Sequence, residues 1–237
     1  MTPNFNEPLD RTSFSNDPAL RSAAARINLQ PIAAPSILGL YGFAGATFMV
    51  AAHFAGWYGG ADTTLYLVPF VAVFGGLAQF LAGMWAFKAR DGLATAAHGT
   101  WGSFWIAFGI LNLLVMNGKI AAPALLSPEM GYWFIVLAAI TWMCTLAGFA
   151  ESIGLGSVLG VLAIGSTLEA IARLTGSGGV HIAAGYAFVI SAIIAWWVAS
   201  AMMFEEAYGH PVVGVGKRVR PANLAVGVGE PGVIRGQ

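Results

Sequence analysis

Charge is the scarcest thing in this sequence: Asp, Glu, Lys and Arg make up 9% of it, against 57% hydrophobic residues. That is far too little polar surface for a soluble globule of this size. The net charge is zero, so no basic field points to nucleic acid as a partner. Cysteine occurs once, as Cys144, which excludes an internal disulfide and a thiolate metal cluster and leaves the redox compartment open. There is no Walker loop and no metal-protease helix, and the Gly-rich runs fall inside apolar stretches rather than between a strand and a soluble helix. Ser103, Ser166 and Ser191 have no obvious base beside them, so no enzyme is expected and no catalytic residue is assigned. The first thirty residues also lack the short apolar core behind a basic start that marks a cleaved signal peptide.

What the sequence does have is six long apolar stretches, at about 36–57, 64–87, 94–116, 131–150, 154–174 and 180–204. A helix of about twenty apolar residues crosses roughly 30 Å of hydrocarbon, so the pattern predicts an all-α, polytopic membrane protein with six transmembrane helices per protomer. Abundant Gly predicts close helix packing, and Ser152, Gly156 and Gly160 put small side chains four apart on one face of the fifth helix. Pro69, inside the second span, predicts a local kink or a neighbouring polar group. Residues 1–33 and 209–237 read as mobile tails on either side of a 34–208 membrane domain. Arg11, Arg21, Arg26, Lys88, Arg90, Lys217, Arg218, Arg220 and Arg235 fall on one side of the membrane and only Lys119 and Arg173 on the other, which predicts cytoplasmic termini.

Few groups in the spans can ionise. Glu169 and Arg173, four apart near the outer end of the fifth helix, read as a structural ion pair, with attraction or gating of an anion as the alternative. His53 and His181 fall near the outer ends of the first and sixth spans, and His98 near the inner start of the third; each reads as an interfacial or hydrogen-bonded histidine. His98 lies at the wrong depth to share an iron with either of the others, so haem would require His53 facing His181, and neither a cofactor nor a metal site is expected. The most polar part of any span is Thr95 to Trp105, where His98, Thr100, Ser103 and indole N–H groups offer donors without a fixed charge, suited to a weakly held anion. The alternative is that Trp101 and Trp105 pack and the hydroxyls bond their own backbone.

Five stretches, taken in order, resemble the acetate uptake transporter family, the short-chain carboxylate permeases that include bacterial acetate/succinate permeases and yeast ammonia/acetate proteins. They are Pro35-Ser-Ile-Leu-Gly-Leu-Tyr-Gly-Phe43, His53, Gly75-Gly76-Leu-Ala-Gln79-Phe-Leu-Ala-Gly83-Met-Trp85, Gly102-Ser103-Phe104-Trp105 and Glu206-Ala-Tyr208-Gly209. The resemblance covers roughly residues 34 to 212. It implies a homo-hexamer in the lipid bilayer whose protomers each pass acetate or similar monocarboxylates, sometimes succinate, through a hydrophobic constriction. Matched position by position, the constriction residues are Phe43, Trp101 and Leu162, with Trp101 where a tyrosine is usual. The first, third and fifth helices run the same way, and these residues lie about seven or eight positions from their inner ends, roughly 10–12 Å deep, so all three can meet at one level.

The chain departs from the family pattern in three places. Ala34-Pro35-Ser36-Ile37 lacks the family's opening asparagine, and Ala86 and Met202 occupy positions that are often acidic, which bears on proton coupling and substrate preference. The expected function is membrane transport of small monocarboxylates, as a channel or a proton-coupled permease, past Phe43, Trp101 and Leu162. Thr100, Ser103, His98 and Gln79 are the polar groups expected along the way. The alternatives are a non-transporting sensor or partner-recruiting subunit, using the Lys217, Arg218 and Arg220 cluster, and ammonium-related export. The expected location is a bacterial inner membrane.

Overall fold

Each helix begins where a cap or a proline allows it. The computed structural model describes residues 32–60, 62–121 and 127–218. Helix α1 (Pro35–Phe54) starts with Pro35 in its first turn, where the missing N–H leaves no bond unmade. The second span is built of α2 (Thr63–Phe70), a π-helical stretch (Val71–Ala78) and α3 (Gln79–Lys88). The third span, α4 (Gly92–Met116), is capped by Asp91, whose carboxylate accepts from the Ala94 N–H. The fourth is α5 (Pro128–Glu151), again with proline in the first turn. Ser152 and Ser177 cap α6 (Ile153–Thr175) and α7 (Gly178–Tyr208), the fifth and sixth spans, and each of these helices ends on a left-handed glycine, Gly176 or Gly209. Among the described residues, six helices are therefore long and apolar enough to cross a membrane, within a few residues of the sequence reading.

The kink expected at Pro69 takes a definite form. Proline has no N–H to donate and crowds the carbonyl a turn behind it, and two residues later the chain widens into the π-helical stretch Val71–Ala78. Gly75 and Gly76 in that stretch pass close to the third span, where a Cβ on Gly76 would lie 2.9 Å from Ile106 Cγ1. Of the small residues expected on the fifth helix, Gly156 and Gly160 do face the fourth span, against Phe149 and Thr145. Ser152 caps the helix instead.

Helices adjacent in sequence are adjacent in space, and the sixth span packs on the first, so the spans close into a ring. Tyr41 and Ser200 hydrogen-bond at 2.9 Å across the closing seam, and Ser191 Oγ donates to the Val158 carbonyl at 2.8 Å between the sixth and fifth spans. The end of the ring that holds Pro35 and Tyr208 is called the near end below, and the other the far end.

Past Gly209 the chain turns back along the near end. Ser152 and Lys217 form an antiparallel bridge, the N–H groups of Ile153 and Gly154 donate to the carbonyls of Gly216 and Val215, and the Arg218 N–H donates to the Glu151 carbonyl. Lys217 also pairs with Glu205. Chain that reads as a mobile tail is therefore part of the fold as far as Arg218. Residues 1–31 and 219–237, with Arg11, Arg21, Arg26, Arg220 and Arg235, lie outside the described residues.

Candidate functional site

Two cavities lie one above the other inside the ring. The near cavity is walled by Ser36, Leu40 and Phe43 of the first span, Gln79 of the second, His98 and Trp101 of the third, and Leu155, Val158, Leu159 and Leu162 of the fifth, with Asp91 and Glu151 at the near-end connections. The far cavity is walled by Thr47, Val50, Ala51 and Phe54 of the first span, Trp101, Phe104, Trp105 and Phe108 of the third, Met130 and Phe134 of the fourth, Arg173 of the fifth and Phe188 of the sixth. Trp101 borders both. The space open to the centre of a water molecule is about 40 Å³ in the near cavity and 20 Å³ in the far one. Each therefore holds no more than a few waters.

The three residues expected at a constriction sit together at the upper wall of the near cavity. Phe43 and Leu162 are 2% exposed and Trp101 4%. The Phe43 and Trp101 rings meet edge-on with centroids 6.1 Å apart. Trp101 is held from the other side, because its indole N–H donates to Thr141 Oγ1 at 3.1 Å and that hydroxyl donates to the Leu137 carbonyl. The fourth span thus positions the third-span aromatic, a role the sequence does not announce.

Two of the four expected polar groups join them. Gln79, 2% exposed, leaves its Oε1 without a partner, and His98, 4% exposed, leaves its Nδ1 so while its Nε2 lies 3.3 Å from Ser36 Oγ. Buried polar atoms are seldom left unpaired, so these two leave hydrogen-bonding capacity open in the cavity wall. The His98 ring fits against Gly39, where a Cβ would fall 2.5 Å from Cε1. Thr100 and Ser103 are not part of either cavity wall. Ser103 is exposed on the opposite helix face and its hydroxyl donates to the Gly99 carbonyl, because a serine in a helix readily bonds the carbonyl four residues back.

The far cavity adds Thr47, which the sequence reading missed, to Trp105, whose indole N–H that reading offers as a donor. Thr47 Oγ1 and Trp105 Nε1 are buried without partners, and both side chains line it. Beside them, Glu169 is fully buried and joins two basic side chains: its Oε1 lies 2.6 Å from Arg173 Nε and its Oε2 2.7 Å from His181 Nδ1. The i, i+4 spacing makes the first pair visible in sequence, whereas the second spans a helix turn-around and is not. The Arg173 guanidinium stands over the rings of Phe54 and Phe134 at 5.8 and 5.9 Å. His53 turns its Nδ1 to the Tyr58 carbonyl at 3.1 Å, whereas His181 turns its Nδ1 to Glu169.

Known proteins share this fold and sequence pattern. The profile of the GPR1/FUN34/yaaH family matches residues 17–213. The chain is 27% identical to Ammonia transport outward protein 2 of Saccharomyces cerevisiae over 203 residues, 81% of this chain and 72% of that one. It is 27% identical over 188 residues to the succinate-acetate/proton symporter SatP of Escherichia coli, 78% of this chain and 96% of that one. The solved structure of the bacterial acetate channel SatP matches with a TM-score of 0.73 at 24% identity, over 78% of this chain and 100% of the channel. That likeness establishes the fold as an all-helical, multi-pass integral membrane architecture.

Proposed function

The chain belongs to the GPR1/FUN34/yaaH family, and from that premise we propose that it carries small monocarboxylates, acetate foremost and succinate as well, through the ring of each protomer past Phe43, Trp101 and Leu162. The observation that supports this most is that Trp101 forms a wall of both cavities, so any molecule moving along the ring axis must pass it. An apolar collar repels water and with it a bare inorganic ion, whereas acetate presents a methyl group the rings tolerate and a carboxylate that can be handed between donors. Gln79 and His98 below the collar, and Thr47 and Trp105 above it, are such donors or acceptors. Phe43 and Trp101 pack ring against ring with centroids 6.1 Å apart, so passage between them needs this gap to widen.

The near end is the cytoplasmic one in this reading, because the short connection between the second and third spans carries Lys88 and Arg90. Six protomers, each with its own path, complete the assembly that the resemblance implies. The recruiting-subunit alternative is weakened by Lys217, which is paired to Glu205 in the fold.

The test is labelled acetate uptake into proteoliposomes, with competition by succinate, lactate and ammonium at two pH values. Uptake well above protein-free vesicles, reduced by other carboxylates and not by ammonium, is expected. The two pH values separate downhill passage from proton-coupled uptake. Permeability at background would refute the proposal.

A further inference from the structure

We infer that the far cavity is a carboxylate-binding seat in which Arg173 holds the anion before the collar, and that His181 sets the charge of that seat through Glu169. The inference rests on the transport reading and adds to it a binding site and a place for the proton.

The seat is built of three kinds of group. Arg173 lines the cavity with its side chain 6% exposed, and Glu169 grips it by Nε, which fixes the orientation of the planar guanidinium. Thr47 and Trp105, whose buried Oγ1 and Nε1 lack partners, supply a hydroxyl and an indole N–H in the same walls. Phe54, Phe104 and Phe134 provide an apolar surround for a short hydrocarbon end. A carboxylate against a fixed guanidinium, with neutral donors beside it and rings around its methyl group, is the arrangement that a small monocarboxylate fits. The cavity must widen to take acetate, and half-buried Met130 and Phe54 are the walls free to give.

The charge count links the seat to protons. Glu169 and Arg173 cancel, so with a neutral imidazole the cluster is neutral, and a carboxylate added to it leaves a net negative charge in a poorly solvated place. With His181 protonated the cluster is positive, and the same carboxylate makes it neutral. Proton and anion therefore favour each other's binding, and each raises the affinity of the seat for the other by the same factor. The His181 side chain is 29% exposed, so it can exchange protons with the far-side solution. The elements packed around it bring Glu169 and Arg173 from the fifth span, His53 and Tyr58 from the first span and the turn after it, Glu129 from the exposed start of the fourth, and Tyr186 from the sixth itself. Among these, the described contacts of His181 are with Glu169, besides the ring of Phe54.

Acetate binding to the purified full-length protein in detergent, and acetate uptake into liposomes, test this at about pH 5.5 and about pH 7.5. Arg173→Gln is expected to weaken acetate binding, and to raise the half-saturating concentration for uptake, by about tenfold while flux at saturating acetate changes less than about twofold. His181→Gln is expected to abolish the pH dependence of both. Should Arg173→Gln fail to fold, Arg173→Lys keeps the charge without the fork and is expected to bind acetate several-fold more weakly. A folded Arg173 variant with wild-type binding and half-saturation, in a protein that does transport, overturns the seat alone, and pH dependence that persists in His181→Gln overturns its proton link. A wild type that moves no acetate overturns the seat and the transport reading together.

Discussion

The indole of Trp101 and the ring of Phe43 meet in a T-shaped pair, their planes 72° apart and their centroids 6.1 Å apart. Because the indole N–H is tied to Thr141, Trp101 is not a free rotor. Widening between the cavities must come from Phe43, from Leu162, or from a shift of the first span against the third. Phe43 sits on the first span, which also closes the ring against the sixth, so a seam movement there would reach the collar directly.

Truncating either aromatic should therefore enlarge the passage. Phe43→Ala and Trp101→Ala are expected to raise succinate and lactate uptake relative to acetate several-fold in liposomes, at a folding cost of about 3–5 kcal/mol for the lost packing. Wild-type selectivity in both, in folded protein, would place the constriction elsewhere.

Gly39 gives a sharper test of the near cavity. A methyl group there would meet the His98 ring at 2.5 Å, while one at Gly178 would meet nothing within 4 Å. Gly39→Ala should displace His98 and cut uptake about tenfold, an overpacking cost of roughly 1–3 kcal/mol. Gly178→Ala should leave uptake unchanged and hold the thermal midpoint level or raise it slightly.

Gln79→Leu should separate function from stability. Its Oε1 is buried and unpaired, so an apolar replacement of similar size is expected to be neutral or to stabilise by up to about 1 kcal/mol, yet to slow uptake several-fold. Ser103→Ala, on the outer face, should change neither.

Much of this was legible in the sequence and some was not, for physical reasons. Apolar length and breakers are local signals, so the spans ended close to where Lys88, Asp91 and the Gly176–Gly179 run placed them. Phe43, Trp101 and Leu162 were reached through resemblance and a depth argument, and the geometry brings all three to one cavity wall. Ser103 was misjudged because a polar residue on a helix can face either way and only the neighbours decide. Thr141 under Trp101 and His181 against Glu169 are contacts between helices, which no periodicity within one helix encodes.

The segment from His210 to Arg218 offers a fourth test. Ending the chain after Gly209 removes the backbone bonds made to Glu151, Ile153 and Gly154 and should lower stability on the order of 1–3 kcal/mol, read as a lower thermal midpoint in detergent. Lys217→Ala alone should cost less than about 1 kcal/mol, because the pair with Glu205 is largely solvent-exposed. An unchanged midpoint in the truncated chain would mean the returning segment is not held.

The π-helical stretch in the second span has a geometric corollary. Its wider turns set the α-helices on either side out of phase, so the side on which Gln79 faces depends on how many residues lie between Phe70 and Gln79. Deleting one of them would swing everything beyond through roughly 100° and aim the amide at lipid. The residue count across Val71–Ala78 acts as a clocking mark on this span, set by number rather than by which side chains fill it.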